Sequence, residues 1–282
     1  MRFSADHYFH IGALHLSNGK PCQDYVDVKD LGTSMIMVLS DGCSSGGRTD
    51  LGSRMVVLSG LLAMEKAMSM EASQRVECFL KEQSELLNKS KSLLSLDVSD
   101  LLATSVVLQV SESGAEIYVQ GDGVIVFKYR NSAMRVLTFS WENNQPYYPA
   151  YELLNSADFY AAHSAAPMTQ SEYRIDDTGQ VVSVETRVLN ISEICPLLHL
   201  SYSLKELGDD LEYIAIFSDG CEQSDGMKWL DFIQECLAFK TVKGDFLKRR
   251  MIRLLKNMMQ NGQRIMDDIS VAVIHITGED GD

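Results

Sequence analysis

The stretch MIMVLSDGC, at residues 35–43, joins an uninterrupted apolar run to an abrupt polar stop. Five apolar residues in a row, without alternation, indicate a strand that is buried on both faces. Ser-Asp-Gly then ends the run, because aspartate and glycine favour turns. The same arrangement recurs in YIAIFSDGC at residues 213–221. Each stretch therefore predicts a central strand of a sheet that is covered on both sides.

The rest of the chain groups strands and helices separately. Helices are predicted from Thr49 or Asp50 onward and at residues 71–90, 227–239 and 245–259. Further strands are predicted at 7–16, 25–29, 101–110, 115–120, 124–129, 134–139, 181–189 and 269–276. This order predicts an α+β fold, a central antiparallel β-sandwich flanked by pairs of helices in four αββα layers.

Two regions inside this pattern have predictions of their own. The four strands between residues 101 and 139 are predicted to form an antiparallel meander, with Gly121-Asp122-Gly123 as one of its hairpin turns. Residues 141–180 have weak periodicity and many aromatic residues, which indicates an irregular, flap-like segment. We expect residues 1–282 to form a single domain that includes this segment.

Composition restricts the class of protein. The net charge of −14 disfavours nucleic-acid binding, which normally requires a basic face. The six cysteines form no CxxC pair and are expected to be free thiols in a reducing compartment. No secretory signal and no apolar run of about 18 residues is visible, so we expect a cytoplasmic, monomeric protein without a membrane partner.

Acidic residues adjoin several of the predicted strands. Asp24 opens the second strand, Asp41 and Asp219 end the two apolar runs, and Asp267 opens the last strand. If these strand ends meet, the carboxylates repel one another unless cations neutralise them. Hard divalent ions prefer oxygen ligands, so the sequence predicts a Mg²⁺ or Mn²⁺ site. The serines and cysteines beside Asp41 and Asp219 are expected to be incidental.

These motifs resemble a known family. Gln23-Asp24, Ser40-Asp41-Gly42, Gly121-Asp122-Gly123, Ser218-Asp219-Gly220 and Asp267-Asp268-Ile269-Ser270 are similar, in order and spacing, to the signature of the type 2C metal-dependent protein serine/threonine phosphatases. The stretch SDGCSSGGRTDLGSRM, at residues 40–55, is especially similar to a bacterial branch of that family. The resemblance spans roughly residues 8–277 and implies the same β-sandwich flanked by helices.

The resemblance also implies roles for individual residues. Asp41 would bridge two metal ions, the Gly42 carbonyl would ligate one of them, and Asp219 and Asp267 would hold the other. Asp24 would act through metal-bound water, and Asp122 matches a ligand of a third ion found in some members. The implied reaction is hydrolysis of phosphoserine or phosphothreonine in a phosphoprotein, such as the product of a serine/threonine kinase pathway, with Asp24, Asp41, Asp219 and Asp267 as the catalytic set.

Two departures from the family pattern leave alternatives open. Gln23 stands where many members have glutamate, and residues 15–24 contain no arginine to bind the phosphate. Lys20 is the only candidate cation there, and it lacks the bidentate fork of a guanidinium. A regulator that binds a phosphoprotein without hydrolysis is therefore the main alternative, and a phosphatase for a small metabolite is another.

Zinc binding and thiol catalysis are the other readings considered. His7, His10 and His15 are predicted to lie on a strand without a Cys/His cluster, which disfavours zinc. Cys43 and Cys221 have no histidine near them in sequence, so they are expected to be packing residues rather than nucleophiles.

Overall fold

Two antiparallel sheets pack face to face and carry helices on their outer faces in this computed structural model, which describes residues 2–154 and 167–278. The strands are β1 (Arg2–His10), β2 (Tyr25–Asp30), β3 (Ser34–Ser40), β4 (Ser105–Ser111), β5 (Gly114–Gln120), β6 (Gly123–Tyr129), β7 (Met134–Trp141), β8 (Met168–Ile175), β9 (Val181–Leu189), β10 (Leu198–Ser203), β11 (Leu211–Phe217), β12 (Ser224–Asp225), β13 (Arg264–Ile265) and β14 (Ile269–Thr277). The α-helices of the described residues are α1 (Ala13–Ser17), α2 (Thr49–Ala67), α3 (Arg75–Leu94), α4 (Ile191–Ile194), α5 (Leu204–Leu207), α6 (Trp229–Cys236) and α7 (Phe246–Gln260).

The strand order divides the chain between the two sheets. The larger sheet runs β1-β14-β11-β6-β7-β8-β9, and the smaller runs β10-β5-β4-β3-β2. Strands β12 and β13 form a separate two-stranded ribbon. All the neighbouring strands pair antiparallel, so the predicted α+β class with an antiparallel sandwich is confirmed.

The apolar runs explain the layers. In β3, Met35, Met37 and Leu39 point into the core between the sheets, whereas Ile36 and Val38 face the opposite way. Helices α2 and α3 cover that second face, and α6 and α7 cover the outer face of the larger sheet. A strand between two apolar layers needs no polar face, which is why β3 and β11 read as continuous runs. The four-layer αββα arrangement follows.

Four details of the sequence prediction are wrong. The predicted strand at 7–16 ends at His10, and α1 follows it. The predicted strand at 101–110 begins only at Ser105, because Val98–Leu101 forms a 3₁₀ turn. Residues 101–139 are not one meander, since β5 belongs to the smaller sheet and β6 to the larger. Gly121-Asp122-Gly123 is therefore the crossing between sheets and not a hairpin turn.

The fourth correction concerns the irregular segment at 141–180. Residues Met168–Ile175 form β8, which pairs with both β7 and β9. Two 3₁₀ turns, Glu142–Asn144 and Pro149–Leu153, occupy its first part. Residues 155–166 of the predicted flap lie outside the described residues. Among the described residues, no helix combines the length and apolar character needed to cross a membrane.

Candidate metal centre

Five aspartates meet at one end of the sandwich because of the strand registers. Tyr25 of β2 pairs with Ser40 of β3, so the preceding Asp24 and the following Asp41 lie side by side. In the larger sheet, Phe217 of β11 pairs with both Val124 and Val271. Asp122 precedes Val124, Asp219 follows Phe217, and Asp267 precedes Val271, each by a few residues. The ends of β2, β3, β6, β11 and β14 thus bring together Asp24, Asp41, Asp122, Asp219 and Asp267.

Burial and mutual repulsion dominate the electrostatics of this cluster. Burial, followed by the charges of Asp24, Asp219 and Asp122, raises the pKa of Asp41 well above its usual range. Burial and the charge of Asp219 raise the pKa of Asp122 to about 8. The pKa of Asp219 is raised by burial and by Asp267. In the described part of the chain, no lysine or arginine forms an ion pair with any of these five carboxylates.

Asp24 is the most deeply isolated of the five. It is fully buried, and neither of its carboxylate oxygens has a hydrogen-bond partner among the described residues. Burial raises its pKa to about 7, and the nearby Ser218 hydroxyl, Asp41 carboxyl and Ser270 hydroxyl oppose that rise. An orphaned buried carboxylate costs free energy unless something outside the chain binds it.

The serines of the repeated tetrapeptide are not incidental. The Ser218 hydroxyl accepts a 2.9 Å hydrogen bond from the Ser270 backbone N–H, which joins the ends of β11 and β14 beside Asp24. Ser40 is fully buried, and its hydroxyl has no hydrogen-bond partner among the described residues. The expectation of an incidental role is therefore wrong for Ser218, whose hydroxyl joins two strand ends beside Asp24, and stays a prediction for Ser40.

Close backbone packing explains two glycines of the motifs. A Cβ on Gly42 would lie 2.8 Å from the Thr49 carbonyl oxygen and 2.9 Å from that of Gln23. A Cβ on Gly220 would lie 1.8 Å from the Asp268 carbonyl oxygen. Neither position accepts a side chain without backbone movement, so the loops after β3 and β11 can approach the acids closely.

Asp122 is held in place through its neighbour. The indole N–H of Trp141 donates a 2.7 Å hydrogen bond to the Gly121 carbonyl. Gly121 and Gly123 both have positive φ angles, of 111° and 144°, which the chain uses to cross from one sheet to the other. This crossing places the half-buried Asp122 carboxylate within the electrostatic reach of Asp219 and Asp24.

Gln23 has a structural task in this chain. Its side-chain amide donates a 2.6 Å hydrogen bond to the Thr49 hydroxyl, and that hydroxyl donates to the Cys43 carbonyl at 3.1 Å. The amide therefore ties the entry of β2 to the first residue of α2. The side-chain oxygen Oε1 of Gln23 is buried without a hydrogen-bond partner among the described residues. A glutamate could not donate this bond, which gives a physical reason for glutamine here.

Asp268, next to Asp267, contrasts with the cluster because its oxygens are fully used. They accept hydrogen bonds from the backbone N–H groups of Gly12 at 2.7 Å and Gln23 at 2.6 Å. A third bond, of 2.7 Å, comes from Nδ1 of His15. Three segments that are distant in sequence are thereby tied together. Asp268 is a structural residue, and the same bonds place Gln23 and Asp24.

The histidine prediction needs correction at one position. His15 lies on α1 rather than on a strand, and it is buried against Asp268. Together with Asp267 it forms a group whose ligand atoms lie within 4.8 Å of one another. Because its Nδ1 already bonds to Asp268, the ring serves to position that carboxylate. Nothing near His15 in the sequence indicated its contact with Asp268.

Two neighbours of Asp219 were missed from the sequence. The side-chain amide of Gln223 lies 3.4 Å from Oδ2 of Asp219 and 3.2 Å from Oδ2 of Asp267. Burial and the charge of Asp219 raise the pKa of Glu222 to about 7. Both residues follow Asp219 in or just after the 3₁₀ turn Asp219–Glu222. A spacing of three or four residues after a strand-end aspartate was the only available signal.

The predicted phosphate-binding cation is outside this cluster. Lys20 is exposed in the loop after α1, and its backbone N–H bonds to the His15 carbonyl. Within residues 2–154 and 167–278, it forms no ion pair with the five aspartates. The structure brings together the predicted metal ligands but leaves Lys20 apart from them.

The two cysteines of the motifs differ in environment. Burial raises the pKa of Cys221 well above its usual range, so its thiol stays protonated inside the core. Cys43 is half-buried, and hydrogen bonds with Ser45 and Tyr148 outweigh burial and lower its pKa. The Tyr148 hydroxyl thus lies over the loop that follows Asp41, and this tyrosine comes from the segment predicted to be a flap.

The donor set fits hard divalent cations. The pocket of the cluster offers carboxylate and backbone carbonyl oxygens, has orphaned oxygens at Asp24, and lacks internal cations. Carboxylates at this density are stable as anions only when positive charge joins them. Oxygen-only donors are the set that Mg²⁺ and Mn²⁺ prefer.

Comparisons with known proteins agree with this geometry. The family model for Protein phosphatase 2C matches residues 11–261. The comparison with curated proteins gives no match. The chain therefore has a clear family assignment without a well-matched curated relative.

Solved structures extend the likeness over nearly the whole chain. The serine/threonine phosphatase Stp1 from Staphylococcus aureus is 13% identical, with a TM-score of 0.56 over 99% of this chain and 96% of that one. A serine/threonine phosphatase of S. agalactiae is 15% identical, with a TM-score of 0.56 over 98% and 100%. At such identities the likeness shows the fold. The matched family model and the shared fold together show that this chain belongs to the protein phosphatase 2C family.

Proposed function

We propose that the protein is a Mg²⁺- or Mn²⁺-dependent phosphoprotein phosphatase that hydrolyses phosphoserine and phosphothreonine. The observation that carries the proposal is the group of five aspartates at one end of the sandwich, of which four have raised pKa values and none has a lysine or arginine partner among the described residues. A structural role alone would favour hydrogen-bonded or paired carboxylates, because unpaired buried charges are destabilising.

The chain's own residues divide the work in this proposal. Asp41, Asp219 and Asp267 hold the ions, with the carbonyl of Gly42 as a further ligand. Asp24 acts through water, and Asp122 is the ligand for a third ion. Two divalent ions, when bound, would supply Lewis-acid activation of water and of a phosphoryl oxygen. The nearby hydroxyls of Ser218 and Ser270 favour the ionised form of Asp24.

Bound cations also resolve a conflict in charge. The net charge of −14 and the acidic cluster would repel a phosphorylated substrate. Divalent ions reverse the local field at the cluster without changing the rest of the surface. Because Lys20 lies apart from the cluster, the ions would provide most of the attraction for the phosphate.

The direct test measures phosphate release from a phosphothreonine peptide with Mn²⁺ and with excess chelator. We expect activity only with the metal, and a loss of at least about 100-fold in kcat/KM for Asp219→Asn. Asp225→Asn, at an exposed carboxylate of β12, is the matched control and should keep its activity. A folded, Mn²⁺-binding protein without turnover on any phosphoester would contradict the proposal.

A second candidate function is a phosphoprotein-binding regulator without turnover. It is favoured by Gln23, which is used to hold Thr49, and by the position of Lys20 outside the cluster. Calorimetry with Mn²⁺ and a phosphopeptide separates the two functions. Phosphopeptide binding without phosphate release supports the regulator, and release supports the phosphatase.

We propose a cytoplasmic setting, in which a serine/threonine kinase supplies the phosphoprotein, as the likeness to bacterial phosphatases suggests. The six cysteines of the described residues are free thiols, which suits a reducing compartment. Blocking of all six thiols by a maleimide under denaturing conditions, without prior reduction and in protein taken directly from cells, is the expected result. Recovery of disulfide-bonded protein would contradict the location.

A further inference from the structure

The outer edge of the larger sheet is a long, exposed strand. Strand β9 has nine residues, VVSVETRVL, and of these only Leu189 is buried. Val182, Val184 and Val188 are 63%, 52% and 58% exposed. Within the described residues, β8 is the only strand that pairs with β9, so its other edge carries free backbone N–H and C=O groups.

Strand β9 has only part of the usual protection of a sheet edge. Natural edge strands are short, carry charged residues or proline, contain bulges, or are covered by another element. β9 carries Glu185 and Arg187 and has a register shift near Val182, but it contains neither lysine nor proline. The opposite edge, β1, is mostly half-buried and packs against α7 and β2. An exposed, valine-rich edge of this length is a template for pairing with another strand.

Contacts with α6 hold the β8–β9 hairpin in place. Tyr173 of β8 packs edge-on against Trp229 of α6, with ring centroids 5.2 Å apart. The amide of Gln234, also on α6, donates a 3.2 Å hydrogen bond to the Gly179 carbonyl in the turn before β9. The edge is therefore presented in a fixed position, and pairing requires little further ordering.

Among the charged residues of the β8–β9 hairpin, Glu185 lacks an ion-pair partner in the described part of the chain. Glu185 lies directly opposite Glu172 of β8, and like charges in this arrangement repel. Glu172 is neutralised by Arg135 at 2.8 Å and Arg174 at 3.1 Å. Glu185 forms no ion pair with any described residue. A cation supplied on the open side of β9 would stabilise it.

The sequence of β9 supplies that cation when it pairs with itself. In an antiparallel pair centred on Thr186, Glu185 of each copy faces Arg187 of the other. Val184 then faces Val188 on the opposite face of the sheet, and Thr186 faces Thr186. A centre at Glu185 or at Arg187 instead places like charges opposite each other. One register therefore satisfies the charges and the valines together.

We propose that a second copy of this chain pairs antiparallel with β9, centred on Thr186, to form a symmetric dimer with one continuous sheet across both copies. This proposal differs from the monomer that we expected from the sequence. Arg187 also contacts Glu193 within its own chain, so its guanidinium would be shared between the two carboxylates. The interface is small, so we expect a dissociation constant of about 10–100 µM.

Sedimentation velocity from about 1 to about 300 µM tests the dimer. We expect Glu185→Arg and Arg187→Glu each to weaken association about tenfold or more, because each places like charges opposite each other. The double variant restores opposite charges in reversed order and should dimerise again. Glu185→Arg removes the repulsion with Glu172, so it is not expected to unfold the chain.

The control reversals are Glu71→Arg and Arg253→Glu, at exposed residues away from β9. Both should leave association unchanged. A monomer at every concentration, or controls as disruptive as the β9 variants, would overturn the proposal. A double variant that stays as monomeric as the single variants would overturn it too.

Cross-linking tests the register separately. Residues directly opposite in an antiparallel pair have Cα atoms about 4.5–5.5 Å apart, which suits a disulfide. We expect Thr186→Cys to form a covalent dimer on mild oxidation much faster than Val188→Cys or the unmodified chain. Equal rates for the two variants would reject this register. None of these readouts depends on phosphatase activity.

Discussion

Asp24 and Asp268 are both buried carboxylates at the same end of the sandwich, yet their surroundings are opposite. Both oxygens of Asp24 lack a partner among the described residues, whereas Asp268 accepts three hydrogen bonds from Gly12, His15 and Gln23. The difference separates a carboxylate that the fold uses from one that the fold leaves available. Burial alone does not distinguish these two acids, but the number of hydrogen-bond donors does.

The largest expected effect is the loss of the Asp268 contacts. Asp268→Ala leaves two buried N–H groups and the His15 ring without their acceptor, so we expect a loss of about 3–5 kcal/mol in the free energy of unfolding. Urea denaturation measures it. Asp225→Ala, at an exposed carboxylate, is the control and should change stability little. A loss below about 1 kcal/mol for Asp268→Ala would remove the distinction between the two acids.

Neutralising a member of the unpartnered set should have the opposite sign. Asp41→Asn removes a buried charge that three other carboxylates repel, so the metal-free protein should gain about 1–2 kcal/mol of stability at pH 8. The same variant should lose the stabilisation that Mn²⁺ gives the unmodified chain. Melting curves with chelator and with Mn²⁺ measure both effects. Destabilisation without metal would mean that Asp41 has a structural partner.

The pH dependence should follow the same set. Burial and like charges raise the pKa values of Asp24 and Glu222 to about 7 and of Asp122 to about 8 in the folded chain. Carboxyl groups of the unfolded chain titrate near pH 4. The contribution of these three groups to the free energy of unfolding is therefore fully present below about pH 4. It is lost as the pH rises through their pKa values in the folded chain. Metal-free protein should therefore become less stable from about pH 4 to about pH 8, as measured by urea denaturation.

Mn²⁺ gives the control for that titration. Because the metal replaces protons on the carboxylates, its binding near pH 6.5 should release protons, and release should fade near pH 9. Calorimetry in buffers of different ionisation enthalpy detects the protons. A metal-free protein whose stability is flat across this range would contradict the raised pKa values.

The smallest expected effect concerns Gln23, which directly precedes Asp24 and donates its backbone N–H to Asp268. Gln23→Glu loses the donor to Thr49 and adds a carboxylate beside Asp24, so the metal-free protein should lose about 1 kcal/mol. Thr49→Ser keeps the hydroxyl acceptor and is the matched control. Equal melting temperatures for Gln23→Glu and the unmodified chain would show that the amide contact contributes nothing.

Sequence reasoning succeeded where a local pattern has a single structural cause. The continuous runs of β3 and β11 are apolar because both faces are buried, and the acids at their ends follow from strand termination. The fold class was predictable for that reason. The end of β3 before Asp41-Gly42 was predictable as well, since aspartate and glycine favour turns.

It failed where only the tertiary structure decides. β8 reads as irregular because most of its residues are half-buried on both faces, so they show no buried alternation. The crossing at Gly121-Asp122-Gly123 looks like a hairpin turn, and nothing local says that the next strand enters the other sheet. His15 reaches Asp268 through tertiary folding alone, and no motif near it indicates this contact. Glu222 and Gln223 approach Asp219 through the 3₁₀ turn after β11, for which their spacing was a weak signal.

The hydrogen bond from Trp141 to the Gly121 carbonyl gives the protein an optical reporter of its own. The chain has two tryptophans, and Trp141 is anchored one residue before Asp122, in the layer between the sheets. Trp229 lies on α6 against Tyr173, on the outer face of the larger sheet. Emission from Trp141 senses charge at the acidic end of the sandwich, while Trp229 serves as an internal reference. Events at that end can therefore be followed by intrinsic fluorescence, without any attached dye.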